Sequence, residues 1–253
     1  MIDNLVDERW IRRFHSGPDR PAILVCFPHA GGSATYFSAL SGMLQSRAHL
    51  LAVQYPGRQD RRNERHLTTI AELADGAFTA LEPVLKQPVA LFGHSMGAMI
   101  AFEVANRMRS RLDASPVTLF VSGRRAPSRY REEDNVHLRD EPGLVAELKG
   151  LSGTDLRILD DPEVLEMILP SMRSDYAAVE TYRYEPGPKL DCPVVGMIGE
   201  EDPKASVDEV RSWGDHTTGP FRLHAFSGGH FYLAEDWRAV ADVIYQQLMA
   251  ATT

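Results

Sequence analysis

Gly93-His94-Ser95-Met96-Gly97 sets a serine between two glycines, each two positions away, directly after the apolar run Val89-Ala90-Leu91-Phe92 and before an amphipathic run over 98–108. The apolar run has the length of a buried strand, and the run after it has helical spacing. A serine on the sharp turn between such elements sits in a strained conformation with its hydroxyl exposed above the sheet. The two glycines remove side chains that would clash in so tight a turn. The chemistry this arrangement serves is nucleophilic attack on an acyl carbon, with Ser95 as the nucleophile.

A serine hydroxyl is a poor nucleophile at neutral pH and needs a base, itself oriented by a carboxylate. Behind an elbow of this kind the partners follow in the order serine, acid, histidine, each at the C-terminal end of a strand. Downstream of Ser95 lie His137, His216, His224 and His230. His224 falls inside a strand-like run, His216 in a polar loop, and His137 before a helical segment. His230 follows Ser227-Gly228-Gly229, a turn just past the last strand, and is the expected base. The acid is expected to end the strand Val194-Val195-Gly196-Met197-Ile198. Asp202, followed by Pro203, is the first choice there and Glu201 the second. The oxyanion formed on attack needs backbone N–H donors. One is expected from Met96, the residue after the nucleophile. The other is expected from Ala30 in Pro28-His29-Ala30-Gly31-Gly32, where glycines permit close approach.

The elements that must hold these residues alternate. Strands are expected at 22–27, 50–53, 89–92, 117–121, 193–198 and 221–226, and helices at 36–44, 70–85, 98–108 and 234–249. Such alternation implies a mostly parallel sheet covered on both faces. From about 128 to 186 it breaks, and short helices over 143–151, 162–169 and 171–182 are expected instead. A helical insertion here, in one domain spanning 1–253, is well placed to be a lid. Leu148, Leu165, Ile168, Leu169, Met172 and Tyr176 are its candidate acyl-pocket residues.

Composition narrows the class. The 253 residues, 43% hydrophobic and 25% charged, are enough for one substantial core. A formal charge of −8 without a long basic stripe argues against nucleic acid. No run approaches the ~20 apolar residues of a membrane span, and the first residues lack an apolar leader core. Cys26 and Cys192 lie in apolar runs, as buried thiols do. A cytoplasmic protein is the expectation. No phosphate-binding loop, dinucleotide fingerprint or Cys/His ligand cluster is present in the sequence, so no cofactor and no metal are expected.

Taken together, Phe27-Pro28-His29-Ala30-Gly31-Gly32, Tyr55-Pro56-Gly57-Arg58, Gly93-His94-Ser95-Met96-Gly97, Ser122-Gly123-Arg124-Arg125-Ala126-Pro127, Asp175-Tyr176 and Gly228-Gly229-His230-Phe231 resemble the type II thioesterases, in the order that family has them. The resemblance covers nearly the whole chain. It implies an α/β-hydrolase fold and a free-standing, cofactor-free enzyme. Such an enzyme removes stalled or aberrant acyl groups from the phosphopantetheine arm of acyl or peptidyl carrier domains, in polyketide synthases or nonribosomal peptide synthetases. It also implies Ser95, Asp202 and His230 as triad, with Met96 and Ala30 as oxyanion donors. Carrier domains are acidic, so the basic cluster Arg58, Arg61, Arg62 and Arg65 is a candidate docking surface, with Arg124 and Arg125 as a second. The competing reading of those arginines is a set of internal ion pairs. A chain-terminating thioesterase, a general carboxylesterase and a catalytically idle scaffold are the rival functions. A monomer is expected.

Overall fold

In the computed structural model, described here for residues 6–15, 22–132, 134–151 and 161–251, the strands form one sheet. They are β1 (Ile11–Arg12), β2 (Ile23–Phe27), β3 (His49–Val53), β4 (Val89–His94), β5 (Thr118–Ser122), β6 (Val194–Gly199) and β7 (Phe221–Phe226). Their spatial order is β1-β3-β2-β4-β5-β6-β7. All neighbours are parallel except β1, which pairs antiparallel with β3 through Ile11 and Val53. This is the mostly parallel sheet that the alternation implies, in the α/β-hydrolase form that the family resemblance implies. The short edge strand β1 carries no pattern long enough to be read from sequence; there 10–14 shows only aromatics suited to packing.

Every residue of β2 is buried, yet the strand still alternates. Ile23, Val25 and Phe27 enter the core shared with α2 (Ile70–Leu85) and α3 (Met96–Leu112). Leu24 and Cys26 enter the opposite core, with α1 (Ser38–Leu44) and α6 (Trp237–Ala251). A strand covered on both faces reads as an unbroken apolar run, and helices on both faces are what a parallel sheet requires. Both cysteines are buried and unpaired, and burial pushes the Cys192 thiol up to about 12 and the Cys26 thiol well above its ordinary value.

Between β5 and β6 the chain leaves the sheet. The insertion holds a 3-10 turn at Val136–Leu138, then α4 (Glu141–Gly150) and α5 (Pro162–Thr181). Residues 133 and 152–160 of it lie outside the described residues. Asp140 caps α4 by accepting the Gly143 amide at 3.0 Å, and Asp161 caps α5 by accepting the Glu163 amide at 3.0 Å. The Glu180 carboxylate ties the turn to α5, accepting the Val136 amide at 2.8 Å and the His137 amide at 3.1 Å. One expectation is corrected here: the segments 162–169 and 171–182 form a single helix that runs through Pro170. Pro170 and Glu166, whose carbonyl loses its donor, are both exposed. The missing bond therefore falls on the solvent side, while Leu169 and Met172 continue the buried side without a break.

Candidate active site

Ser95 sits between β4 and α3 at φ 54° and ψ −115°, a conformation that a non-glycine residue adopts only under constraint. The constraint is local. The Ser95 amide donates to the Ser122 carbonyl at 2.8 Å, and the Ala98 amide donates back to the Ser95 carbonyl at 3.0 Å. A Cβ on Gly97 would overlap the Phe27 carbonyl, and one on Gly93 would overlap the backbone of Gly97. The glycines thus let β2, β4 and α3 close around the turn.

Past β6, Asp202 is held by its amide on the Gly199 carbonyl at 3.1 Å, and its Oδ1 accepts the Lys204 amide at 2.8 Å. Past β7, Gly228 at φ +108° turns the chain so that His230 folds back. His230 Nδ1 lies 2.9 Å from both Asp202 oxygens, with the two side chains 3% and 0% exposed. An ionised carboxylate only accepts, so Nδ1 carries the proton and Nε2 keeps its lone pair. Glu201 is exposed, and Asp202 is the carboxylate that meets the imidazole. Ser95 and His230 line a cavity of about 370 Å³, together with His29, Ala30, Gly31 and Phe231. Met96 is the first residue of α3, so its amide has no intrahelical acceptor.

The remaining histidines have other places. His216 is 5% exposed and shares a hydrogen bond with Ser128 at 2.8 Å, a correction to its reading as a polar-loop residue. His137 pairs with Glu180, and His224 lies within β7. His94 is fully buried, its Nδ1 3.0 Å from the Ser122 hydroxyl, and its ring centroid 5.0 Å from that of His230.

Burial, together with the neighbouring imidazoles, pushes the His94 pKa well below its ordinary value; burial, then His230 and Arg58, lowers His29 to about 3. Unfolded, both titrate near 6.5. Below that value the unfolded chain binds protons that the folded chain excludes. Stability is therefore full above about pH 6.5 and erodes as pH falls toward 3. Urea denaturation at pH 7.5 and pH 5 checks this, and an unchanged midpoint would contradict it.

Of the expected pocket residues, Leu148, Ile168, Met172 and Tyr176 line the cavity, joined by Leu151 and Val179. Leu165 and Leu169 do not line it. They belong to the insertion's own core with Val136, Leu144 and Val145. Charged side chains line the same cavity, from Arg124, Arg125, Arg131, Glu132, Asp134 and Lys204.

The docking cluster is corrected in part. Arg58 is buried, ion-paired with Asp175, and donates to the Pro56 carbonyl at 2.6 Å. Arg61 is 5% exposed, donates to the Gln54 carbonyl at 2.8 Å and lies over the Trp10 ring at 4.6 Å. Both are framework residues. Arg62 and Arg65 stay exposed, and Arg65 pairs with Glu72 at 3.0 Å. Arg124 and Arg125 face the cavity rather than an open surface.

One residue near the site escapes a reading by triad spacing. Asp175 is fully buried on α5, where burial raises its pKa while the Arg58 guanidinium and the Gly31 amide oppose that shift. Its sequence signal is a lone carboxylate interrupting the apolar stripe of Met172, Tyr176 and Val179.

Known proteins resemble this chain over nearly its whole length. The thioesterase domain family matches residues 22–248. Thioesterase PikA5 of Streptomyces venezuelae is 49% identical over 241 residues, covering 95% of this chain and 85% of that one. Among solved structures, the type II thioesterase BorB from the borrelidin biosynthetic cluster superimposes with a TM-score of 0.89 at 49% identity, over 94% of this chain and 97% of its own. YbtT, the type II thioesterase of the yersiniabactin pathway, gives 0.84 at 30% identity, over 96% and 100%.

Proposed function

The chain belongs to the thioesterase family and is a hydrolase of thioesters, and we propose that it is a type II enzyme that clears acyl groups from the phosphopantetheine arm of carrier domains. The carrier domains would be those of a polyketide synthase or nonribosomal peptide synthetase, the setting of BorB and YbtT. The observation that carries this reading is the Asp202–His230 pair, 2.9 Å apart, on the cavity that Ser95 lines.

In this reading the chain is one hydrolase domain, and the insertion over about 128–186 is its lid. Ser95 Oγ attacks the thioester carbon and passes its proton to His230 Nε2, while Asp202 holds Nδ1–H and stabilises the imidazolium. The Met96 and Ala30 amides take the oxyanion. As the carbonyl re-forms, the C–S bond breaks and His230 returns the proton to the departing pantetheine sulfur. Water, deprotonated by His230, then adds to the acyl-Ser95 ester; as the intermediate collapses the acyl C–O bond to Ser95 breaks, His230 returns that proton to Ser95 Oγ, and the free acid leaves. No helix of the described residues is long and apolar enough to cross a membrane.

The cavity walls favour clearance of short or polar acyl groups over release of one long chain. A long alkyl tail would share this cavity with the hydrated charges of Arg131, Glu132, Asp134 and Lys204 and strip water from them. Hydrolysis of a panel of acyl groups on a phosphopantetheinylated carrier tests this. We expect slow release of many short acyl groups, with rates within about tenfold of one another. A sharp optimum for one long chain would replace the editing role with chain termination. Exposed Arg62 is the remaining docking candidate from the basic cluster. Its charge reversal should raise KM for the carrier-bound substrate and leave KM for a small thioester alone.

A further inference from the structure

Asp175 has no part in the triad, yet it reaches the oxyanion loop. Its Oδ2 accepts the Gly31 amide at 2.7 Å and also the Arg58 guanidinium. Oδ1 has no hydrogen-bond partner among the described residues, although it is buried. Here both donors converge on one oxygen, and the atom held closest to the site is a backbone N–H.

The loop is fixed at three points. The Gly32 amide donates to the His29 carbonyl at 3.0 Å. In a trans peptide the C=O and the following N–H point in opposite directions, so this bond aims the Ala30 N–H away from the turn. The next peptide is held by its Gly31 N–H on Asp175. Gly31 itself is at φ +73°, and any side chain on it would overlap the Met172 sulfur of α5. Met172 and Asp175 are neighbours on one face of that helix, three residues apart. The peptides on either side of Ala30 are therefore clamped, one by the turn and one by the insertion.

We infer that Asp175 is a positioning residue for the reaction, holding the Gly31 amide so that the Ala30 N–H is aligned on the developing oxyanion, and that the insertion helix thereby sets the catalytic power of the site as well as its shape. The inference rests on Ser95 being the nucleophile. It makes acyl transfer depend on α5 being seated. Withdrawal of the helix from the sheet would take Asp175 off Gly31 and misalign the donor even with the triad intact.

Removing Asp175 alone would strand the Arg58 charge in the interior, so the comparison is made in an Arg58→Met background. There Asp175→Asn keeps an acceptor for Gly31, and Asp175→Leu, of similar size, does not. With a short acyl N-acetylcysteamine thioester as substrate, we expect kcat of the Leu variant to be about 100-fold below that of the Asn variant, with KM within threefold. Affinity for a trifluoromethyl ketone, which forms an oxyanion adduct with the serine, should fall in step with kcat. Affinity for the product acid should not.

Asp175→Glu in the otherwise unaltered chain is the second probe. It retains the ion pair but moves the acceptor, and should cost at least about tenfold in kcat with little change in KM. Equal kcat for the folded Asn and Leu variants, or an unchanged kcat in Asp175→Glu, would overturn the positioning role. Ser95→Ala is run alongside. Hydrolysis surviving in that variant would overturn the serine mechanism beneath the inference, which is a separate failure from equality among the Asp175 variants.

Discussion

Ser95→Ala is expected to lower turnover of a carrier-bound acyl thioester by about 10⁶-fold, leaving only what the oxyanion donors and binding supply. The size follows from what is removed. Without the hydroxyl, His230 has no proton to accept and no acyl-enzyme forms, so hydrolysis requires direct attack by water. The substitution should leave the fold in place. Alanine meets the same backbone demand at φ 54° that serine does, and the two backbone bonds holding the turn do not involve the side chain. Intact-protein mass spectrometry gives a second readout, with an acyl adduct accumulating on the wild type with a slowly released acyl group and none on the variant. A variant rate within tenfold of wild type would show that another group performs the attack.

Asp202→Asn carries the second largest effect, about 10⁴-fold in kcat. Both carboxylate oxygens stand 2.9 Å from His230 Nδ1. An asparagine can turn its NH2 toward Nδ1, which places the imidazole proton on Nε2, where the lone pair must be. Glu201→Gln, one residue away, should change kcat by less than about twofold, because the Glu201 side chain is exposed and its backbone amide makes its contact, to Gly228, at 3.0 Å. Steady-state rates of the two variants on one small thioester are enough. The reverse pattern, with Glu201→Gln crippled and Asp202→Asn active, would exchange the roles of the two carboxylates.

The parallel strands and the nucleophile turn were legible because both are written locally. A strand buried on both faces reads as a near-continuous apolar run, as β2 and residues 89–92 of β4 do, and a turn as tight as that at Ser95 demands glycine on either side. What stayed hidden depends on contacts distant in sequence. Arg58 and Arg61 read as a surface cluster because nothing near them in the chain shows that Asp175, the Gln54 carbonyl and the Trp10 ring will enclose them. Leu165 and Leu169 fit the apolar stripe of α5 as well as Ile168 and Met172 do. Which of them reach the cavity is decided by the angle at which α4 and the 136–138 turn pack, and periodicity carries no such angle. Pro170 is punctuation in a sequence, but on the solvent face of a helix with a continuous buried side it is tolerated.

Each turnover of the proposed reaction liberates a pantetheine thiol at the mouth of the enzyme, a nucleophile well suited to capturing a protein sulfur under oxidising conditions. The chain has two cysteines, and both are enclosed in the sheet region with their thiolate forms suppressed by burial. A mixed disulfide with the spent arm therefore has no partner sulfur to form on. The enzyme can release its carrier without a reductant, and a single cysteine engineered at the surface would be the sole site for attaching a reporter to follow that release.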